Sequence, residues 1–396
     1  MSRFHLFSLL SLLLLVTSCS KDDDNPVDEL MLKGTITSYN DFGAAFLDIT
    51  EADMTAAGFT LGDIISIAVD DKDPIVMPYY DGFYNRNGEY VCVAYPTSPS
   101  IRFTANNIGL PSELMGLEGH SVTIRMREKG GSLDVQKAMS MTYSNNRNDY
   151  SNISDAAFAN ARAAIAGDIP DGVLYRSSSP FNNDINRSFY VSQYLENVGV
   201  KTVLDLNDTE EDLLGYVDMP PYSRTLWEGG NVIICTLKTD PTADDYNEKL
   251  IAALKVLPTR PAPYVVHCME GKDRTGYVCA LLEGLCGATY DEIVADYLVT
   301  YNNYYGITPA TDADVCNALV SLRLNTCLMF YAGIDDESQL PRVDFATAFA
   351  KYLLTHGMNR QELDDLLEAL TQKNVAFCNF FAFDDVKQTK IHQIKK

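Results

Sequence analysis

The chain has 396 residues, of which 46% are hydrophobic and 21% charged, and a formal net charge of −23. That length accommodates two domains and that composition excludes a disordered chain. The acidic balance excludes a nucleic-acid partner and general adhesion to anionic membranes, since both require basic surface. Nine cysteines form no CxxC pair and no zinc-like spacing with the five histidines, so neither a metal nor another cofactor is expected.

Arg3 followed by the apolar run Leu6 to Val16 is a positive n-region and an h-region too short for a spanning helix, so residues 1–18 read as a signal peptide. The run closes on Val16-Thr17-Ser18-Cys19, which resembles the lipobox of bacterial lipoproteins. That resemblance implies lipidation of Cys19 and a membrane anchor through the N-terminal lipid. Residues 19–30 contain Ser20-Lys21-Asp22-Asp23-Asp24-Asn25-Pro26, too polar to bury itself, and read as a solvated tether. The acidic run also resembles the export tag of bacterial surface lipoproteins. The expected location is the bacterial cell envelope, lipid-anchored at the outer membrane, with the periplasmic and surface faces both open.

Between residues 31 and 139, apolar runs such as Ile64 to Val69, Tyr90 to Tyr95 and Ser121 to Met126 alternate with Gly, Pro, Asn and Asp turns. That pattern predicts a small all-β barrel-like domain. Asp41-Phe42-Gly43, Leu61-Gly62-Asp63, Phe83 to Val93 and Asn106-Asn107, in that order, weakly resemble the C-terminal barrel of S-adenosylmethionine hydroxide adenosyltransferases. Ala44 stands where that family carries an Asn, and its catalytic domain is absent, so adenosyl chemistry is not expected. Residues 140–154 are polar and turn-rich and read as a linker.

Residues 155–383 alternate predicted helices and strands and should form a parallel α/β sheet flanked by helices, with 384–396 as a tail. Ala156 to Ala166 and Val191 to Val198 read as helices, Thr202 to Leu206 and Tyr264 to Val266 as buried strands. Thr289 with Glu292 predicts a capping box. Further helices are expected over 312–331, 342–355 and 359–372.

The chemistry concentrates in Val265-Val266-His267-Cys268-Met269-Glu270-Gly271-Lys272-Asp273-Arg274-Thr275-Gly276. A Cys and an Arg separated by five residues, with a Gly in the loop and a helix starting near Arg274, let successive backbone N–H groups of residues 269–274 converge on one phosphate-sized volume. The same groups and the helix dipole favour a thiolate, so Cys268 should titrate below a free cysteine and act as a nucleophile.

These residues resemble the cysteine-dependent protein tyrosine phosphatases, in particular the branch of bacterial secreted tyrosine phosphatases that also act on serine/threonine phosphate and phosphoinositides. Leu174-Tyr175-Arg176-Ser177 matches the family's start, and Asp205-Leu206 its next strand end, although Asn207 stands in place of the family's Arg. The resemblance implies that Cys268 forms a phosphocysteine, that Arg274 clamps two phosphoryl oxygens, and that Thr275 supports the thiolate as leaving group. It further implies that His267 orients the loop, with Arg176 and Asp205 in support. Two acids compete to protonate the leaving group. Asp273 lies inside the loop beside Lys272, which would add a cation for substrates with several phosphates; Asp240 lies in Thr239-Asp240-Pro241, where many relatives carry a mobile acid loop. The expected substrate is a phosphorylated protein, a phosphoinositide or a small phosphoester. The alternatives are a non-catalytic phosphate- or ligand-binding surface lipoprotein and an inositol-phosphate phosphatase.

Overall fold

The computed structural model describes residues 30–373. The expected signal peptide, Cys19 and the tail 384–396 lie outside the described residues.

The N-terminal strands are β1 (Met31–Tyr39), β2 (Ala45–Leu47), β3 (Ile64–Val69), β4 (Ile75–Tyr80), β5 (Tyr90–Val93), β6 (Arg102–Ala105) and β7 (Ser121–Glu128). They close into a barrel in the order β1-β2-β6-β5-β4-β3-β7. Period-two patterning drives the closure: in β7, Val122 and Ile124 are buried and meet Ile36, Ile65, Ile67 and Phe103 inside. Closure leaves no free sheet edge. One junction, β4 with β5, is parallel. Helix appears at Glu51–Ala56, started by a Thr50–Asp53 capping box, and again at Leu133–Ser140. The Leu133–Ser140 helix leaves the barrel and packs on the Ala313–Leu319 helix of the second half.

The second half is built on β8 (Arg162–Ala163), β9 (Leu174–Ser177), β10 (Thr202–Asp205), β11 (Val232–Ile234) and β12 (Tyr264–His267), in the order β11-β10-β12-β9-β8. The strands β11, β10, β12 and β9 run parallel, but β8 pairs antiparallel with β9. The sheet is therefore mixed, which corrects the expectation of a parallel one. The cause lies in the Ala-rich segment, which stops being helical at Phe158 rather than continuing to Ala166. Asn160 then takes a φ of +51° and turns the chain back along β9.

All residues of β9, β10 and β12 are buried, as expected of strands covered on both faces. One face carries Leu174, Leu204 and Val266 into the larger core, and the other carries Tyr175, Val203 and Val265 into a second core. This burial places β12 at the centre of the sheet, so the loop after it emerges in the crevice at the strands' C-terminal ends.

Helices follow at Asp273–Leu285, Tyr290–Tyr305, Phe345–Thr355 and Arg360–Thr371. The Thr289–Glu292 capping box is present. The segment expected as a continuous helix over 312–331 is broken into Ala313–Leu319, a π-helical stretch at Val320–Asn325, and Thr326–Ala332. A π-helical stretch this long widens the helix and re-aims its side chains.

Candidate active site

Strand β12 ends at His267, and the Asp273–Leu285 helix begins six residues later, so Cys268 to Lys272 must make a tight turn. Gly271 allows it. Its φ is +66°, and a Cβ there would lie 2.2 Å from the carbonyl oxygen of Ser177. Any larger residue would force the loop off β9.

The loop's carbonyls are held from outside. Asn160 Nδ2 donates to the carbonyls of Glu270 at 3.2 Å and Gly271 at 3.0 Å. Arg176 Nη2 donates to the Gly271 carbonyl at 3.1 Å, Tyr304 Oη to that of Glu270 at 2.7 Å, and Ser179 N–H to that of Met269 at 3.0 Å. A loop whose carbonyls are engaged on its outer side presents its N–H groups to the inner side, which is the geometry of an anion-binding nest. Cys268 opens the loop and is 3% exposed.

The supports are themselves anchored. Arg176 is buried and ion-pairs with Asp296, which also takes Arg162 Nε at 2.9 Å. Burial would drain the charge from Arg176, but Asp296 outweighs it and keeps the guanidinium firmly protonated. Glu283 beside them is fully buried, and the cost of desolvating its carboxylate pushes its pKa well up, so it stays neutral. Behind Tyr304, Arg187 is buried in an aromatic cage, with Phe158 at 4.0 Å and Tyr304 at 4.3 Å from the guanidinium carbon.

Arg274 is aimed by three acceptors. Its Nη1 donates to the carbonyls of Leu206 at 3.1 Å and Leu237 at 3.3 Å, and its Nη2 to Asn207 Oδ1 at 2.8 Å. The ends of β10 and β11 thus set its position. Asn207 is not merely a missing cation: it supplies an acceptor that fixes the guanidinium plane.

His267 is buried, with Nδ1 3.4 Å from the Cys268 carbonyl and Nε2 3.5 Å from Asp205 Oδ1. Burial drops its pKa to about 4, so the ring is neutral near pH 7. It holds loop backbone, as a structural histidine does. Asp205 accepts from the N–H groups of Asn207 at 2.8 Å and Asp208 at 3.0 Å, and burial raises its carboxyl to about 7. Asp208, pushed up to about 6 by burial and then by Asp205, accepts from Tyr216 Oη at 2.8 Å.

The side chains within the loop divide differently. Lys272 Nζ lies 2.7 Å from Glu270 Oε2, and Tyr143 Oη donates to Glu270 Oε1 at 2.8 Å. Burial favours a neutral Lys272, but Asp273 and Glu270 outweigh it and raise its pKa. Its charge is therefore shared with an ion pair inside the loop. Thr275 Oγ1 and Asp273 Oδ1 are buried and have no hydrogen-bond partner among the described residues. Asp240 lies elsewhere, on the wall of a cleft together with Thr239, Pro241, Tyr277 and Arg323. Its Oδ1 accepts from Thr242 N–H at 2.9 Å and Oγ1 at 2.7 Å.

Sequence reading missed Asn160, Tyr143, Tyr304, Asp296 and the accepting role of Asn207. Asn207 and Asp296 lie in segments that resemble the family, but Asn160, Tyr143 and Tyr304 belong to no local motif; Asn160 is 110 positions from the Glu270 carbonyl it holds. The only sequence signal near them is the chain turn at Asn160, a residue type that tolerates positive φ. Among the described residues, no group of three or more His, Cys, Asp or Glu side chains could hold a metal ion, and the seven described cysteines are buried and free.

A buried cysteine opening a loop whose carbonyls are engaged from outside, followed by an arginine fixed by strand-end carbonyls, has the parts of a phosphate-binding loop. Residues 152–372, more than half of the chain, match the tyrosine phosphatase family. The chain belongs to that family, and it is a phosphoric monoester hydrolase. Solved structures similar to it include an uncharacterized conserved protein from Thermotoga maritima, at 15% identity over 24% of this chain and 35% of that one, with a TM-score of 0.21. They also include two of S. cerevisiae Siw14. The core catalytic domain of the PP-IP phosphatase SIW14 in complex with citrate is 20% identical over 38% of this chain and 85% of that one, with a TM-score of 0.24. The Siw14 catalytic core is 18% identical over 48% and 94%, with a TM-score of 0.27. No curated protein matches the chain.

Proposed function

We propose that the chain hydrolyses phosphate monoesters through a phosphocysteine, acting on phosphotyrosine and on phosphoserine/threonine or phosphoinositide substrates. Cys268 Sγ attacks phosphorus in line, the P–S bond forms as the ester P–O bond breaks, and the leaving oxygen takes a proton from Asp273. Water then attacks phosphorus, gives one proton to the Asp273 carboxylate and cleaves the P–S bond, returning the thiolate and inorganic phosphate. Arg274 bridges two equatorial oxygens while the loop N–H groups take the charge that builds there. Thr275 Oγ1, buried and unpartnered, is available to donate to the departing thiolate. The observation that carries this reading is the outward engagement of the loop's carbonyls by Asn160, Arg176, Tyr304 and Ser179.

The full chain should hydrolyse p-nitrophenyl phosphate with and without EDTA, and Cys268→Ser should bind phosphate without turnover. Activity abolished by EDTA, or retained by Cys268→Ser, would remove the cysteine mechanism. The same reading includes a lipid anchor at Cys19 in the envelope of a bacterium; incorporation of a labelled fatty acid that persists in Cys19→Ala would refute that part.

A further inference from the structure

The cleft that carries Asp240 also carries a cation that the mechanism does not use. It is walled on one side by Thr239, Asp240, Pro241, Tyr277, Arg323 and Thr326, and on the other by barrel residues from Phe83 to Asn87 with Asn106 and Asn107. Two chain connections and the charge interaction of Arg323 with Asp273 bring it near the cysteine loop. Tyr277 is one helical turn beyond Asp273, and the Thr239 to Pro241 segment starts two residues after Leu237, whose carbonyl holds Arg274.

Arg323 lines the cleft, and its charge interacts with Asp273 without a direct hydrogen bond or ion pair among the described residues. Burial works against its charge, but Asp273 and then Tyr277 offset that and keep it protonated. Its neighbours on the same chain segment are, by contrast, tightly fixed. Arg323 sits in the π-helical stretch Val320–Asn325, and the barrel grips that stretch: Arg86 ion-pairs with Glu337 and donates from Nη2 to the Ser321 carbonyl at 3.3 Å and Ser321 Oγ at 3.2 Å. Glu337 in turn accepts from Asn325 Nδ2 at 2.7 Å and Ser321 Oγ at 3.1 Å. The fold thus uses a barrel contact and a helical irregularity to aim a guanidinium whose main counter-charge is Asp273, at the start of the helix that follows the cysteine loop. On a chain of net charge −23, a partly buried guanidinium near a phosphate site whose fork no carboxylate hydrogen-bonds is matched by an anion on the substrate. The cleft's carboxylate, Asp240, is occupied by Thr242.

We infer that Arg323, aimed by the barrel through Arg86 and Glu337, binds a second phosphoryl group of the substrate while the first sits over Cys268. The inference rests on the phosphatase reading above and adds the substrate class: compact esters bearing two phosphates. The barrel is then a part of the specificity site.

The test compares kcat/KM of the full chain for matched esters with one and two phosphates: phenyl phosphate against 1,4-phenylene bisphosphate, and inositol 1-phosphate against inositol 1,4-bisphosphate. Wild type should prefer the bisphosphate of at least one pair by tenfold or more. Arg323→Gln should reduce that preference at least tenfold, mostly through KM, and Arg323→Lys, which keeps the charge and guards against a collapsed variant, should keep part of it. Arg86→Ala should weaken the preference in the same direction. Phosphatidylinositol 4-phosphate in phosphatidylcholine vesicles, set beside its soluble headgroup, separates a lipid source of the second anion from a soluble one. Hydrolysis of phenyl phosphate with no bisphosphate preference, or a preference that survives Arg323→Gln, overturns the subsite alone. So does an Arg323→Gln effect confined to acidic phosphotyrosyl peptides. Failure to hydrolyse any ester overturns the phosphatase reading and the subsite with it.

Discussion

Arg274 Nη2 donates to Asn207 Oδ1 at 2.8 Å, so the residue that stands in place of the family's second arginine orients the first one. The guanidinium keeps its two carbonyl contacts to Leu206 and Leu237 regardless, and removing Asn207 takes away one charge-assisted bond out of three. Such a bond is worth about 1.5–3 kcal/mol. Asn207→Ala should therefore lower kcat/KM for p-nitrophenyl phosphate by roughly 10- to 100-fold, with the fold unchanged by circular dichroism. Asn207→Arg should be worse, because it removes the acceptor and sets a like charge beside Arg274. An Asn207→Arg variant at wild-type activity would show that the asparagine does not orient the clamp.

Gly271→Ala places a methyl 2.2 Å from the Ser177 carbonyl in a backbone conformation of φ +66°. The left-handed φ alone costs about 1–2 kcal/mol for a non-glycine residue, and the overlap with β9 backbone requires the loop to move. Moving it breaks the Arg176 and Asn160 bonds to the Gly271 carbonyl. The expected outcome is a lower melting temperature and a loss of turnover of about 100-fold or more, the scale of losing one aligned transition-state donor. Equal turnover in the variant would mean that the loop is not held against β9 as described.

The sequence made the cysteine loop legible because its elements are local: strand, Cys, Gly, Arg and helix follow one another within twelve residues, and each is dictated by chemistry at its own position. The closed barrel was legible for a similar reason, since alternation in β7 and turn residues between runs report on strands directly. What holds the loop was not legible. Asn160, Tyr143 and Tyr304 reach it over long sequence separations, and a residue's partner in a folded core cannot be read from its neighbours in the chain. The antiparallel β8 escaped because Ala156 to Ala166 has high helical propensity, which the buried turn at Asn160 overrides. The π-helical stretch escaped because its apolar spacing is close to that of an ordinary helix.

Stability should fall with pH through Asp205. Burial holds its carboxyl at about 7, against an ordinary 3.8. Between those values the folded chain keeps a proton that the unfolded chain has released, so folding weakens as pH rises through that window. Asp208, at about 6, adds to the trend. His267 opposes it, because its pKa of about 4, against 6.5, makes the folded chain gain stability as pH rises from about 4 to 6.5. Asp205→Asn mimics the protonated acid and can keep both backbone N–H bonds on Oδ1. Chemical denaturation at pH 5 and pH 8 should show the variant gaining on wild type at the higher pH, by at most roughly 3 kcal/mol, since about two units of the window lie between those values. A difference that does not change with pH would mean that Asp205 does not hold its proton in the fold.

The acid can be assigned by its dependence on the leaving group. Asp273 opens the helix that follows Cys268, and its Oδ1 is buried without a partner, so one oxygen is available to hold a proton for a leaving group in the nest. Asp240 has its Oδ1 committed to Thr242 and stands on the outer cleft wall. A missing acid matters most when the leaving oxygen is basic, and positioned acids contribute about 100- to 10,000-fold. Asp273→Asn should therefore slow phenyl phosphate by about 100-fold or more while costing much less on p-nitrophenyl phosphate. Asp240→Asn should affect both esters alike and only slightly. The reverse pattern, with the selective loss in Asp240→Asn, would move the acid out of the loop and make the 239–241 segment the part that closes on the substrate.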